Sequence, residues 1–175
     1  YEGIGSPKIE TIDDIYNVLK DLAAKYPVND KGEKVWPMGG LKQTWQNTMQ
    51  TILEGGGIAS DSWYIENNKL QYWVRAPYAL TMVKFYNKLN REGLIDPESF
   101  TKDRDSWMKT KMQTARVLTH LGGWWMNWTV ENDYKAAGMA NADNMSFIPF
   151  AFSVPGGQTP KLVAVNRRGS NSSVI

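Results

Sequence analysis

A chain of 175 residues, 42% hydrophobic and 22% charged, has the composition of an ordinary globular domain and the length to bury a core. Twenty Lys and Arg stand against 18 Asp and Glu with no basic block, which excludes the electrostatic footprint of a nucleic-acid binder. The absence of cysteine removes disulfides, thiolate metal sites and thiol catalysis together, and no apolar run approaches the ~20 residues that span a bilayer.

The start, Tyr1-Glu2-Gly3-Ile4-Gly5, has neither the basic opening nor the apolar stretch of a signal peptide and no initiator Met, so the chain reads as an internal piece of something longer. Thr11 followed by Asp14 is a capping-box-like helix entry. Ile12, Ile15, Tyr16, Leu19, Leu22, Ala23 and Tyr26 recur at helical spacing behind it, until Pro27 stops the helix. A turn over Val28 to Lys34 then leads to a short extended piece, Val35-Trp36-Pro37-Met38. A second amphipathic helix is predicted over Leu41 to Glu54, ended by Gly55-Gly56-Gly57. Those glycines have no flanking Lys-Ser/Thr and follow a helix, so they are not a phosphate loop.

Trp63-Tyr64-Ile65 and Leu70 to Val74 flank Glu66-Asn67-Asn68-Lys69, a hairpin signal whose Asn residues tolerate positive φ. In that strand Trp73 and Arg75 would share one face. A third helix carries Tyr78, Met82, Phe85 and Leu89 on one side, with Pro77 in its first turn, Gly93 as its left-handed end and Leu94 as the apolar contact of that cap. Asp96-Pro97 blocks continuation. A shorter helix is expected over Asp103 to Gln113, a strand over Arg116 to Thr119, then Gly122-Gly123 and a further helix over about 126–137. The remainder is extended: Ser146 to Val154, a Pro155-Gly156-Gly157 turn, and Lys161 to Val165. The sum is one α+β, helix-rich domain over residues 1–175.

Eight Trp in a chain of this size is the unusual feature. Gly122-Gly123-Trp124-Trp125-Met126-Asn127-Trp128 is the strongest candidate for ligand contact. A strand turning into a helix through glycines leaves backbone N–H groups free and large indoles near an opening. An indole covers the C–H face of a sugar ring while Asn127 bonds hydroxyls at its rim. Trp128, one turn later, fits a core role as well as a ligand role. At the hairpin, Trp63 is a second candidate. Arg75 could grip a hydroxyl or carboxylate in a bidentate way, or lie on the Trp73 indole as an ordinary packed pair. His120, the lone histidine, sits on a strand among apolar neighbours, where packing or hydrogen bonding is the usual role. Glycosidase chemistry needs two carboxyl groups facing each other across roughly 5–10 Å. Asp96/Glu98, Asp103/Asp105 and Glu131/Asp133, each two residues apart, are not expected to face one another.

The segment WYIENNKLQYWVRAPYALTMVKFYNKLNREGLIDPESFT, Trp63 to Thr101, closely resembles extracellular solute-binding proteins of the family 1 type, especially their lipoprotein branch. There an "(N/D)GK" hairpin leads to a helix ending in a "KLYREGLIDPE"-like stretch. Pro7 to Asp14 is similar to that family's "PKTxDEL" helix entry, and Arg116 to Trp125 to its strand ending in "GGWW". The likeness covers nearly all of this chain but not the longer, two-lobed family protein. It implies one lobe, the C-terminal and helix-rich one, of a periplasmic-binding-protein-like type II fold. It further implies non-catalytic capture of a carbohydrate, an oligosaccharide by preference, for an ABC importer. The partners would be a second lobe of the same chain and a membrane permease, the location extracellular and lipid-anchored, and no cofactor would be needed. Some relatives carry a calcium loop of the "DxNGNGxxDEIP" kind. The equivalent Pro27 to Pro37 offers only Asp30 and Glu33 among lysines, so no metal is expected. The rival readings are a fragment of a polysaccharide-acting enzyme and a free-standing carbohydrate-binding or adhesion module.

Overall fold

A computed structural model describes residues 1–39, 63–120, 132, 135 and 153–155. The first helix, α1 (Ile12–Lys25), begins where the local chemistry dictates. The Thr11 hydroxyl accepts the Asp14 N–H at 3.1 Å while the Asp14 carboxylate accepts the Thr11 N–H at 2.8 Å, a complete capping box. Ile12, Ile15, Val18, Leu19 and Leu22 form its buried side, and the helix ends immediately before Tyr26-Pro27. In the following turn the Asn29 side chain accepts the N–H groups of Lys31 and Glu33, and Val28 and Lys34 pair as an antiparallel bridge. The expected extended piece is strand β1 (Trp36–Gly39), buried along its whole length.

The hairpin is β2 (Trp63–Glu66) with β3 (Lys69–Tyr72), turning through Asn67 and Asn68 at φ of 51° and 59°. Positive φ at both central residues is what a tight hairpin turn demands, and Asn meets it at low cost. One expectation is corrected here. Trp73, Val74 and Arg75 do not extend the strand; they form a 3₁₀ turn. The chain has to swing into the next helix through Ala76-Pro77, and the Ala79 N–H bonds the Ala76 carbonyl across that bend. Trp73 and Arg75 therefore do not share a strand face. Pro77 also lies just ahead of helix α2 (Ala79–Arg91), outside its first turn.

Helix α2 ends as its sequence foretells. The Gly93 N–H bonds the Asn90 carbonyl and the Leu94 N–H bonds the Leu89 carbonyl, with Gly93 at φ 70°. This is the Schellman arrangement, and Leu94 and Leu89 both enter the core as its apolar contact. The chain then runs along β1: the Met38 N–H donates to the Leu94 carbonyl and the Asp96 N–H to the Met38 carbonyl. On the other side of β1 lies strand β4 (Val117–His120), parallel to it, with Trp36 opposite Val117 and Gly39 opposite His120. The hairpin forms a separate two-stranded sheet.

Between Asp96 and β4 come a 3₁₀ turn (Pro97–Phe100) and a short helix, α3 (Arg104–Trp107), which widens into a π turn over Met108–Met112. The Thr110 and Thr114 hydroxyls bond back to the Ser106 and Thr110 carbonyls, a competition that loosens regular α geometry. The predicted helix over 103–113 is thus present but not uniformly α. The core joins α1 (Ile12, Ile15, Leu19) to α2 (Met82, Phe85, Leu89) across Met38 and Ile95, closed by Val154. The architecture is mixed helix and strand, compatible with α+β. Thr11 pairs with Ser153, so part of the expected terminal extended region lies against the start of α1. The predicted helix over 41–54 and the stretch 161–165 lie outside the described residues.

Candidate ligand-binding site

The two carboxyl ends of β1 and β4 are adjacent because Gly39 and His120 are partners in a parallel ladder. In open parallel sheets ligands are held outside the carboxyl ends of the strands. Gly39 has a physical reason to be glycine: a Cβ there would collide with the Trp107 ring and with Val117. In sequence, β4 is followed by Gly122-Gly123-Trp124-Trp125-Met126-Asn127-Trp128. Trp124, Trp125, Asn127 and Trp128 lie outside the described residues. Asn132 and Lys135, further on in the predicted helix, are helical and exposed.

Of the hairpin candidates, Trp63 opens β2 opposite Tyr72. Arg75 is exposed in the 3₁₀ turn that leads toward α2. Trp63 belongs to a two-stranded sheet separate from the β1–β4 pair, and Arg75 to the 3₁₀ turn that follows that sheet. His120 takes its place in the β1–β4 ladder.

The most organised polar group in the described residues is one that sequence reasoning passed over. Asp96 is fully buried, and its Oδ2 accepts the Trp107 indole N–H at 2.7 Å. Its Oδ1 accepts the Glu98 N–H at 3.3 Å and lies 3.4 Å from the Lys111 Nζ. Lys111, 1% exposed, also reaches Glu98 Oε1 at 2.9 Å, and its ammonium stands 4.5 Å from the centre of the Trp36 indole. Asp96 and Glu98 therefore converge on one ammonium instead of pointing apart. The Lys111 and Lys102 ammonium groups, hydrogen-bonded to Glu98, hold its carboxyl down from the ordinary 4.5 to about 2.

Trp36 and Trp107 are buried within this group, so both indoles serve the fold. Lys34 and Arg116 add two more cations near the Trp36 ring, at 5.2 and 5.4 Å. The one signal in the sequence was Trp107 and Lys111 at i, i+4, which places both on one side of a helix. What they meet, eleven to fifteen residues back, is not written in local spacing.

Turn 28–34 uses its own polar atoms. Asn29 Nδ2 donates to Glu33 Oε2 and to the Thr114 carbonyl, while Glu33 faces Arg116 at 3.9 Å. Among the described residues no group of three or more His, Cys, Asp or Glu is placed to hold a metal ion, and no helix is long and apolar enough to cross a membrane. Set against models of known protein families and against curated protein sequences, the chain matches none.

Proposed function

We propose that this chain is one lobe of an extracellular, lipid-anchored solute-binding protein of periplasmic-binding-protein-like type, which captures a carbohydrate for an ABC importer without catalysis. The observation that carries the reading is the parallel pairing of β1 with β4. It sets two carboxyl strand ends side by side, where sheets of this kind hold ligands, and the glycine- and indole-rich segment Gly122 to Trp128 follows directly in sequence. The likeness of Trp63 to Thr101 to family 1 solute-binding proteins supports the same reading. Trp124 and Trp125 would cover the sugar face, with Asn127 and Trp128 beside them and Trp63 and Arg75 as outer contacts. A second lobe would close over the ligand about a hinge, and the closed form would dock on a membrane permease. No cofactor or nucleic acid enters this scheme.

Calorimetric titration of the two-lobed protein with oligosaccharides, amino acids and peptides tests it. Heat is expected with a sugar, and Trp124→Ala or Trp125→Ala should weaken binding about fivefold or more, since loss of one stacked ring costs roughly 1 kcal/mol or more. Binding confined to amino acids or peptides overturns the substrate class, and turnover of a polysaccharide overturns the non-catalytic reading.

A further inference from the structure

Strand β1 is fastened by two residues whose side chains also meet each other. Asp96 joins it through the backbone, its N–H donating to the Met38 carbonyl at 2.9 Å. Lys111 reaches it by way of β4: the Lys111 carbonyl accepts the Arg116 N–H at 2.8 Å, and the Arg116 carbonyl accepts the Trp36 N–H at 2.9 Å. The circuit is closed by the side chains, with Asp96 Oδ1 3.4 Å from Lys111 Nζ. Neither residue is more than 1% exposed.

Trp107 carries this circuit to the end of the strand. Its indole N–H is fixed on Asp96 Oδ2 at 2.7 Å, at the five-membered side of the ring system. The six-membered side is thereby aimed at Gly39, where a Cβ would stand 2.9 Å from Cη2 and nearer still to Cζ2. Gly39 is the last residue of β1 and the ladder partner of His120. The ring therefore sets where the carboxyl end of β1 lies.

Packing alone does not call for such a group. An apolar side chain of similar size would fill the same space, and burying an aspartate with a lysine carries a desolvation cost that apolar residues avoid. What the polar partners add is direction, since a hydrogen-bonded indole has one orientation. Binding groups work when the residues behind them hold position to within about 0.5 Å.

We infer that Trp107, oriented by Asp96 and Lys111, is a positioning residue for ligand capture at the end of the β1–β4 pair. With no exposed surface it touches no ligand itself and acts through Gly39. The inference rests on the reading that a carbohydrate is held outside those strand ends, and adds that affinity is governed in part from within the fold.

The test applies the two-lobed protein to an array of immobilised oligosaccharides, then measures affinity for the sugars retained by calorimetry, at a temperature where parent and variants are fully folded. Trp107→Phe, which draws back the ring edge and loses the N–H, should weaken binding about tenfold, the scale on which lost outer-shell partners act at metal sites. Gly39→Ala disturbs the same contact from the strand side and should act alike; it carries the test if Trp107→Phe does not fold. Leu89→Ala, which lowers the unfolding midpoint through the apolar core, should bind as the parent does. A parent that binds sugar while Trp107→Phe and Gly39→Ala match it overturns the inference and leaves the carbohydrate reading standing. Equal weakening in Leu89→Ala also overturns it, since the effect is then one of general stability. A parent that retains no sugar on the array overturns both together.

Discussion

The two sides of β1 are fastened in different ways. Toward α1 and α2 the contacts are apolar: Ile15, Leu19, Met82, Phe85 and Leu89 close over Met38 and Ile95. Toward α3 they are polar and directional: in a buried space Asp96 accepts the Trp107 indole N–H and faces the Lys111 ammonium, which also stands against the Trp36 ring. Apolar packing depends on area and volume and tolerates substitutions of similar size. A buried ion pair tolerates almost none, because removing either partner strands the other. The REGLIDPE stretch spans both kinds of joint. Gly93 and Leu94 end α2, Ile95 lies along β1, and Asp96 and Glu98 reach forward to Lys111.

Substitution on each side sharpens that contrast. Asp96→Ala removes the carboxylate that accepts the Trp107 N–H and one of the two carboxylates facing Lys111, and is expected to cost about 3–5 kcal/mol in urea unfolding. Adding Lys111→Met should restore part of that loss, as a coupled pair requires. A double variant no more stable than Asp96→Ala would break the comparison. Leu89→Ala on the apolar side should cost about 2–5 kcal/mol, with no partner substitution able to rescue it by charge. Gly39→Ala, which forces a methyl against Trp107 and Val117, should cost about 1–3 kcal/mol and shows whether the sheet end is as tightly packed as the geometry implies. Thr11→Ala, remote from both joints, should cost about 1 kcal/mol through loss of the α1 cap.

The smallest effect is a dependence on pH. The folded state holds Glu98 at about 2, below its ordinary 4.5. Its contribution is therefore complete above about pH 4.5 and is lost as pH falls toward about 2. Because the side chain is 44% exposed, solvent screens the effect. Comparing acid unfolding of the parent with Glu98→Gln should show a shallower slope in that window for the variant.

What the sequence disclosed was what neighbouring residues decide between themselves. Thr11 with Asp14, Asn67 with Asn68, and Gly93 with Leu94 each announce an end or a turn within four residues, and each was found where expected. The inner side of α2 was equally plain from its spacing. The hairpin's second strand ends at Tyr72, sooner than the sequence alternation through Trp73 to Arg75 implies, because the bend into α2 takes those residues away. The polar joint stayed hidden because Asp96, Trp107 and Lys111 meet only after the intervening turn folds back, and Asp96-Pro97 alone looks like a helix stop. Of the candidate site, the sequence supplied residue types, and the fold supplied the pair of strand ends that precede them.

The ladder between residues 36–39 and 117–120 also bears on how the molecule is made. Parallel neighbours so far apart along the chain can form only after a large loop has closed, which slows assembly relative to a helical hairpin. During synthesis α1 and the hairpin can form early. Strand β1 must wait for residue 120 to leave the ribosome before its second edge is covered, and a nascent chain halted short of that point would offer an unpaired apolar strand to its neighbours.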